Sequence, residues 1–176
     1  VYKYLEECKS LEFDVIEVSS GFIEIKVEDM VEIIKDIKKL GMKAKPEISF
    51  IKGAGGGVYS LEYEIIYKDL NETIKEADIL LKNGAYMLMI ESEGITEGLQ
   101  PEKWRIDIIK RLINEFGIEK LMFEAAEPQV FKWYLKNVSK EVNLFIDHSQ
   151  VVEFNAWRLG LWGDKEIWKD KKFKYK

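Results

Sequence analysis

Apolar residues along this chain alternate between two patterns. Short runs that are apolar almost throughout are separated by longer stretches in which apolar residues recur every three or four positions. A short apolar run favours a strand buried on both faces, whereas the wider spacing favours an amphipathic helix. The runs that predict strands are Phe13–Val18, Met42–Phe50, Tyr86–Glu91, Lys120–Ala125 and Val142–Asp147.

Six stretches have the helical spacing. The clearest apolar stripe contains Met30, Ile34 and Ile37, and Gly41 follows it as a stop signal. Strands that alternate with helices predict a single α/β domain with a parallel sheet and helical crossovers. The predicted helices are Tyr2–Leu11, Val27–Leu40, Tyr67–Lys82, Pro101–Phe116, Pro128–Val138 and Val151–Leu159.

Every predicted strand has an acidic residue at or near its carboxyl end. The carboxyl edge of a parallel sheet is where ligands bind in such folds, and a set of carboxylates at that edge predicts a functional site. For any one of them, a salt bridge or a helix cap is an equally good interpretation. Oxygen ligands suit Mg²⁺, whereas Zn²⁺ favours Cys and His, of which the chain has one each. The acids are Glu17, Glu47, Glu91, Glu124 and Asp147.

Other candidate residues follow the same strands. His148 is a candidate base or ligand, or else a hydrogen-bonded structural residue. The glycine-rich loop Lys52–Gly57 is either a phosphate cradle or a lid, and it lacks the Gly-Lys-Ser/Thr ending of a P-loop. Arg158, near Gly163, is suited to binding a phosphate or carboxylate, but is equally consistent with a charge on a helix surface.

Composition narrows the class of protein. The chain of 176 residues carries a net charge of −5, which argues against nucleic-acid binding. The lone Cys8 and the lack of a long apolar window or signal peptide predict a cytoplasmic protein that does not bind membranes. The basic residues near the C-terminus predict a solvated tail over residues 164–176.

Six motifs in order resemble the phosphosulfolactate synthase family. The likeness runs from about residue 5 to Gly163, and it is closer to the bacterial-spore and plant heat-stress-associated branch than to the archaeal coenzyme M enzymes. The motifs are Glu17–Gly21, Lys45–Ile48, Gly53–Gly56, Met89–Thr96, Met122–Ala126 and Val142–Ser149.

The resemblance implies a (β/α)₈ TIM barrel. Residues 1–163 would supply about the last five β/α units, and residues 164–176 the tail. Since a closed barrel takes about 250 residues, we expect the remaining strands to have been cut away or to come from elsewhere. We also expect a homo-oligomer that acts on a small phosphorylated molecule.

The resemblance also implies a lyase that adds sulfite to phosphoenolpyruvate with Mg²⁺, giving phosphosulfolactate. Glu17, Glu47, Glu91 and Glu124 would be metal ligands. Archaeal members carry a lysine pair just after the Glu47 strand, where this chain has Ser49–Ile51, which leaves Lys45 or Lys52 as proton donor. The expected catalytic residues are Lys45, Lys52, Glu47 and His148. The expected substrate-binding residues are Ser19, Gly21, Gly53, Gly55, Gly56, Arg158 and Gly163.

Two other functions remain open at this stage. The same acidic edge would serve a Mg²⁺-dependent enzyme that acts on another phosphorylated carboxylic acid. Alternatively, the plant branch suggests a stress-related protein that keeps the barrel as a scaffold without catalysis. A shared fold does not decide between them.

Overall fold

The computed structural model describes residues 1–20, 23, 25–52 and 66–161. Its strands and helices alternate along the chain, as the apolar pattern predicts. The strands are β1 (Val15–Val18), β2 (Lys43–Ile48), β3 (Leu88–Ile90), β4 (Leu121–Glu124) and β5 (Asn143–Phe145). The helices are α1 (Tyr2–Ser10), α2 (Val27–Lys39), α3 (Leu70–Lys82), α4 (Ile106–Phe116), α5 (Pro128–Asn137) and α6 (Val151–Leu159).

The five strands form one parallel sheet in sequence order. Its register pairs Ile48 with Ile90 and Ile90 with Phe123, so the carboxyl ends of β2, β3 and β4 lie side by side. The predicted α/β fold class, five β/α units of the TIM-barrel type, is therefore confirmed. This register brings the strand-end residues to one edge of the sheet.

The two faces of the sheet differ. On the helix-covered face, Ala44, Ile48 and Phe123 are almost fully buried and pack into the hydrophobic core. On the other face, hereafter the inner face, Lys45 and Glu47 are half-buried. The expectation that all strands are buried on both faces is therefore wrong for β2, because helices cover one of its faces in the described residues.

Two helices start later than predicted. The stretch from Pro101 forms a short 3₁₀ turn, and then Trp104 adopts an extended backbone so that its indole is buried and donates to the Leu99 carbonyl at 3.2 Å. Helix α4 therefore begins later, at Ile106. Helix α3 begins after Asp69, whose side chain accepts the backbone N–H of Glu72 at 2.9 Å. That capping pair was a missed signal in the sequence.

Gly84 ends the turn between α3 and β3 with φ of 103°, a conformation that favours glycine. An added Cβ would also lie 2.8 Å from Cδ of Lys38. We therefore expect Gly84→Ala to lower the free energy of unfolding by about 1–2 kcal/mol, measured by urea denaturation. The double variant Lys38→Ala, Gly84→Ala should remain nearly as destabilised as Gly84→Ala, because the loss of stability comes mainly from backbone strain. Full recovery of stability in the double variant would show instead that the contact with Lys38 causes the loss.

Some predicted features lie outside the described residues. They are the basic tail 164–176 and the glycine loop from residue 53 onward. Within the described part of the chain, no helix combines the length and the apolar character needed to cross a membrane.

Candidate active site

Three carboxylates meet at the carboxyl edge of the sheet. Glu91 follows β3, Glu124 ends β4, and Glu97 lies in the loop between β3 and α4. One oxygen from each lies within 4.8 Å of the other two. These three residues are called the acidic cluster below. Oxygen ligands at this spacing are suited to a divalent cation.

The loop after β3, residues 91–99, folds back on itself. The Ser92 carbonyl accepts the backbone N–H groups of Ile95, Thr96 and Glu97, each at 3.0 Å. The reversal uses Gly94 with φ of 73°, where a Cβ would be strained. This tight turn, hereafter the β3–α4 loop, returns Glu97 to the end of β3 although it is six positions from Glu91 in the sequence.

Ser92 connects the members of the acidic cluster. Its backbone N–H donates to Glu91 Oε1 at 2.8 Å, and its hydroxyl lies 3.0 Å from Glu124 Oε2 and hydrogen-bonds with Glu97 as well. Ser92 is 3% exposed. Because a hydroxyl has one proton, it cannot donate to both carboxylates at once, so the Ser92 hydroxyl alone does not satisfy both of them.

Within the acidic cluster, the charges of Glu91 and Glu124 are not balanced by a basic side chain among the described residues. Burial, together with a hydrogen bond to Glu124 and its charge, raises the pKa of Glu91 to about 8. Among the described residues, no lysine or arginine forms a salt bridge with Glu91 or Glu124. Buried carboxylates that share a site without a cation repel each other, so that one takes up a proton. This combination of oxygen ligands and uncompensated charge fits a bound divalent cation such as Mg²⁺.

Lys45 lies on the inner face and pairs with Glu17. Its Nζ is 3.0 Å from Glu17 Oε2 and 3.4 Å from the Met122 sulfur, and its side chain is 12% exposed. The ammonium group therefore has one charged partner and an otherwise largely apolar environment. Glu17 is accordingly the partner of a lysine, whereas Glu91 and Glu124 belong to the acidic cluster.

Glu47 lies between this ion pair and the acidic cluster. Burial raises its pKa, as do the charges of Glu17 and Glu124, while a hydrogen bond with Ser19 opposes the shift. Glu47 also lines a cavity of about 500 Å³ near the first turns of α2 and α3. The same cavity is lined by Lys26 and Lys68, by two further glutamates and by several hydroxyl groups, and its volume is within the range of small-molecule sites.

The other predicted site residues lie apart. The His148 side chain is 97% exposed, 3.6 Å from Asp147, whose own carboxylate accepts the backbone N–H of Ser149. Arg158 donates to the Val142 carbonyl at 2.6 Å, just before β5, which is at the amino edge of the sheet. Lys52 is exposed. Gly21, Gly53, Gly55, Gly56 and Gly163 lie outside the described residues.

Glu97 was missed in the sequence because it is not at the end of a strand. The available signal was the pair Gly94 and Gly98, which have φ of 73° and 72° and enclose a tight reversal. Such a turn returns the residues after it towards the strand it follows. Counting acids at strand ends alone therefore finds two of the three cluster residues.

The raised pKa of Glu91 predicts that the stability of the folded chain depends on pH. Because its folded-state pKa is raised from 4.5 to about 8, the folded chain holds an extra proton between these values and loses stability as the pH rises through them. In EDTA, we expect the free energy of unfolding from urea titrations to fall by about 2–3 kcal/mol between pH 6 and pH 8. Glu91→Gln should remove this slope, and the exposed Glu115→Gln should retain it. An equal slope in Glu91→Gln would contradict the assignment.

The chain matches known proteins over most of its length. Residues 1–164 match the sequence profile of the family described as (2R)-phospho-3-sulfolactate synthase (ComA). The chain is 32% identical over 166 residues to HEAT-STRESS-ASSOCIATED 32 of Arabidopsis thaliana, covering 88% of this chain and 57% of that protein. It is 24% identical over 169 residues to a phosphosulfolactate synthase of Methanothermobacter thermautotrophicus, covering 93% and 62%. The chain thus spans about three fifths of the length of these relatives.

The fold also matches solved structures. The crystal structure of D-psicose 3-epimerase in the presence of D-fructose aligns with a TM-score of 0.52 and 12% identity, over 93% of this chain and 60% of the epimerase. A likeness at this identity shows the TIM-barrel type of fold alone. Since the family profile covers residues 1–164, the chain belongs to the (2R)-phospho-3-sulfolactate synthase (ComA) family.

Proposed function

We propose that the protein catalyses a phosphosulfolactate synthase reaction, the Mg²⁺-dependent addition of sulfite to phosphoenolpyruvate. The acidic cluster is the observation that carries this proposal. It places three carboxylates at the ligand-binding edge of the sheet, and two of them, Glu91 and Glu124, have no lysine or arginine partner among the described residues. The chain's family is named for that product. A chain that used this fold only as a scaffold would gain nothing from a buried acidic site that costs stability.

The cluster residues Glu91, Glu97 and Glu124 would hold the metal. When bound there, Mg²⁺ would stabilise negative charge on the substrate carboxylate. The sulfur lone pair of sulfite forms a bond to the methylene carbon of phosphoenolpyruvate. The electrons of the C=C bond move onto the carboxylate, giving an aci-carboxylate. A proton delivered to C2 then forms the C–H bond, restores the carboxylate and gives phosphosulfolactate.

We assign the proton delivery to Lys45. It is directed towards the inner face, is 12% exposed, and has Glu17 as its ion-pair partner. Glu17 thus positions the ammonium group while Met122 and the ring of Phe145 limit access of water on other sides. The alternative donor, Lys52, is exposed.

We propose that the phosphate group of the substrate binds in the cavity beside Glu47. Ser20 and Ser49 supply hydroxyl groups there, and the ammonium groups of Lys26 and Lys68 would bind the phosphate and partly offset the glutamates that line the same cavity. We further propose that the protein is a homo-oligomer in a reducing cytoplasm, where its lone, buried Cys8 stays a thiol.

The direct test is to incubate the protein with phosphoenolpyruvate, sulfite and MgCl₂, and to follow phosphosulfolactate by ³¹P NMR. We expect product that depends on all three components and that disappears with EDTA. Glu91→Gln should reduce the initial rate at least 100-fold, while the exposed Glu115→Gln should leave it unchanged. If the wild-type protein binds Mn²⁺ but forms no product, the proposed reaction is wrong, while the proposed metal site stands.

A second function is favoured by one comparison. The 32% identity to a plant heat-stress-associated protein raises the alternative of a stress-related role without catalysis. In that case, Glu91→Gln would leave stress tolerance intact in a cell that depends on this protein. A lost phenotype in Glu91→Gln, with normal protein abundance, would favour the enzymatic role.

A further inference from the structure

The segment that leads into α3 contacts the β3–α4 loop through one side chain. The Tyr67 hydroxyl donates to the Gly94 carbonyl at 2.8 Å. Gly94 lies midway between Glu91 and Glu97 in sequence, at the reversal that brings these two together. A hydrogen bond at this position therefore acts on the part of the loop that decides where Glu97 lies.

Backbone hydrogen bonds fix the position of Tyr67. It pairs in antiparallel fashion with Ile51. The flanking backbone bonds run from Lys52 N to Ile66 O and from Lys68 N to Phe50 O, each at 2.9 Å. The tyrosine therefore projects from a hydrogen-bonded base that continues from the carboxyl end of β2.

Arg105 contacts both Tyr67 and the β3–α4 loop. Its guanidinium carbon is 4.7 Å from the centroid of the Tyr67 ring. Its backbone N–H donates to the Ile95 carbonyl at 2.9 Å. The guanidinium is oriented by two bonds to Asp107, at 2.9 and 2.7 Å. A bidentate pair of this kind fixes the plane of the group as well as its position.

We propose that Tyr67 and Arg105 are positioning residues that hold the β3–α4 loop so that Glu97 joins Glu91 and Glu124. The loop contains Gly94 and Gly98, both at positive φ, and glycines give a loop many competing conformations. Contacts from outside the loop reduce the entropy that cation binding must overcome. This inference rests on the proposed metal site and names the side chains on which its affinity depends.

The test compares Mn²⁺ binding, measured by EPR titration, in the wild type and Tyr67→Phe, which removes one hydroxyl. Because the net effect of one hydrogen bond is about 1 kcal/mol, we expect about fivefold weaker binding, with a melting temperature close to that of the wild type. Arg105→Lys keeps the positive charge but loses the planar guanidinium group that pairs with Asp107, and it should also weaken Mn²⁺ binding. Tyr86→Phe is the control, since this exposed ring contacts Lys43 instead.

Hydrogen exchange supplies a second readout that does not need the metal. The amides of Ile95, Thr96 and Glu97 should exchange several times faster in Tyr67→Phe than in the wild type. If the wild type binds Mn²⁺, equal affinity in Tyr67→Phe overturns the inference. If the wild type binds no Mn²⁺, the proposed metal site fails instead, and the exchange rates decide: faster exchange supports the positioning role, and equal exchange overturns it.

Discussion

Replacing Lys45 with methionine is expected to lower kcat for sulfite addition by about 10²–10⁴-fold, the usual contribution of a positioned general acid. Methionine keeps much of the side-chain length and apolar contact but cannot donate a proton. The fold should survive, because Lys45 is on the inner face and outside the helix-covered core. The rate is measured by sulfite consumption at saturating phosphoenolpyruvate.

Lys43→Met is the matched control. Lys43 lies two residues earlier on the same strand, is exposed, and has its ammonium group 4.6 Å from the Tyr86 ring centroid. We expect its kcat to stay within about twofold of the wild type, as surface substitutions usually have small effects. A similar loss in both variants would show that charge on the inner face matters in general. Wild-type activity in Lys45→Met would show that Lys45 does not deliver the proton, and Lys52 would then be the candidate proton donor.

Replacing Glu124 with glutamine is expected to weaken Mn²⁺ binding by about 100-fold or more, and to lower kcat/KM at fixed Mg²⁺ to the same extent. Glutamine keeps the shape and one oxygen but removes the negative charge, and hard cations depend on ligand charge. It also removes the partner whose charge helps to raise the pKa of Glu91. The affinity is measured by calorimetric titration with Mn²⁺.

Glu127→Gln is the matched control for this change. Glu127 lies three residues further along the same strand end, is exposed, and hydrogen-bonds with Gln129. Its Mn²⁺ affinity should equal that of the wild type. If Glu124→Gln and Glu127→Gln weakened binding equally, the cation would be responding to the general negative potential of this edge, and the acidic cluster would lose its assignment.

The sequence was a good guide to the fold because its strands and helices have different apolar periods. The five strands and six helices lie where the pattern predicts them, apart from boundaries fixed by local contacts, as at Trp104 and Asp69. Those contacts depend on single side chains: an indole that bonds to a carbonyl, and a carboxylate that caps a helix. A periodic pattern does not report such individual bonds.

The site was predicted less completely than the fold. Strand ends indicated Glu91 and Glu124, since parallel strands bring their carboxyl ends to one edge. Loop residues are positioned by turn geometry, which is why Glu97 and Tyr67 were missed. Charge alone did not distinguish Glu17, which pairs with Lys45, from the cluster residues. Arg158 was a reasonable candidate by type, but α6 ends at the amino edge of the sheet.

We propose that Glu91, Glu97 and Glu124 together bind the divalent cation on which the reaction depends. The most direct test is a crystal of the protein soaked in MnCl₂, examined by anomalous diffraction at the manganese edge. We expect one strong anomalous peak within bonding distance, about 2.0–2.3 Å, of oxygens from all three carboxylates. A peak bound elsewhere on the chain, or none at the cluster at saturating Mn²⁺, would contradict it.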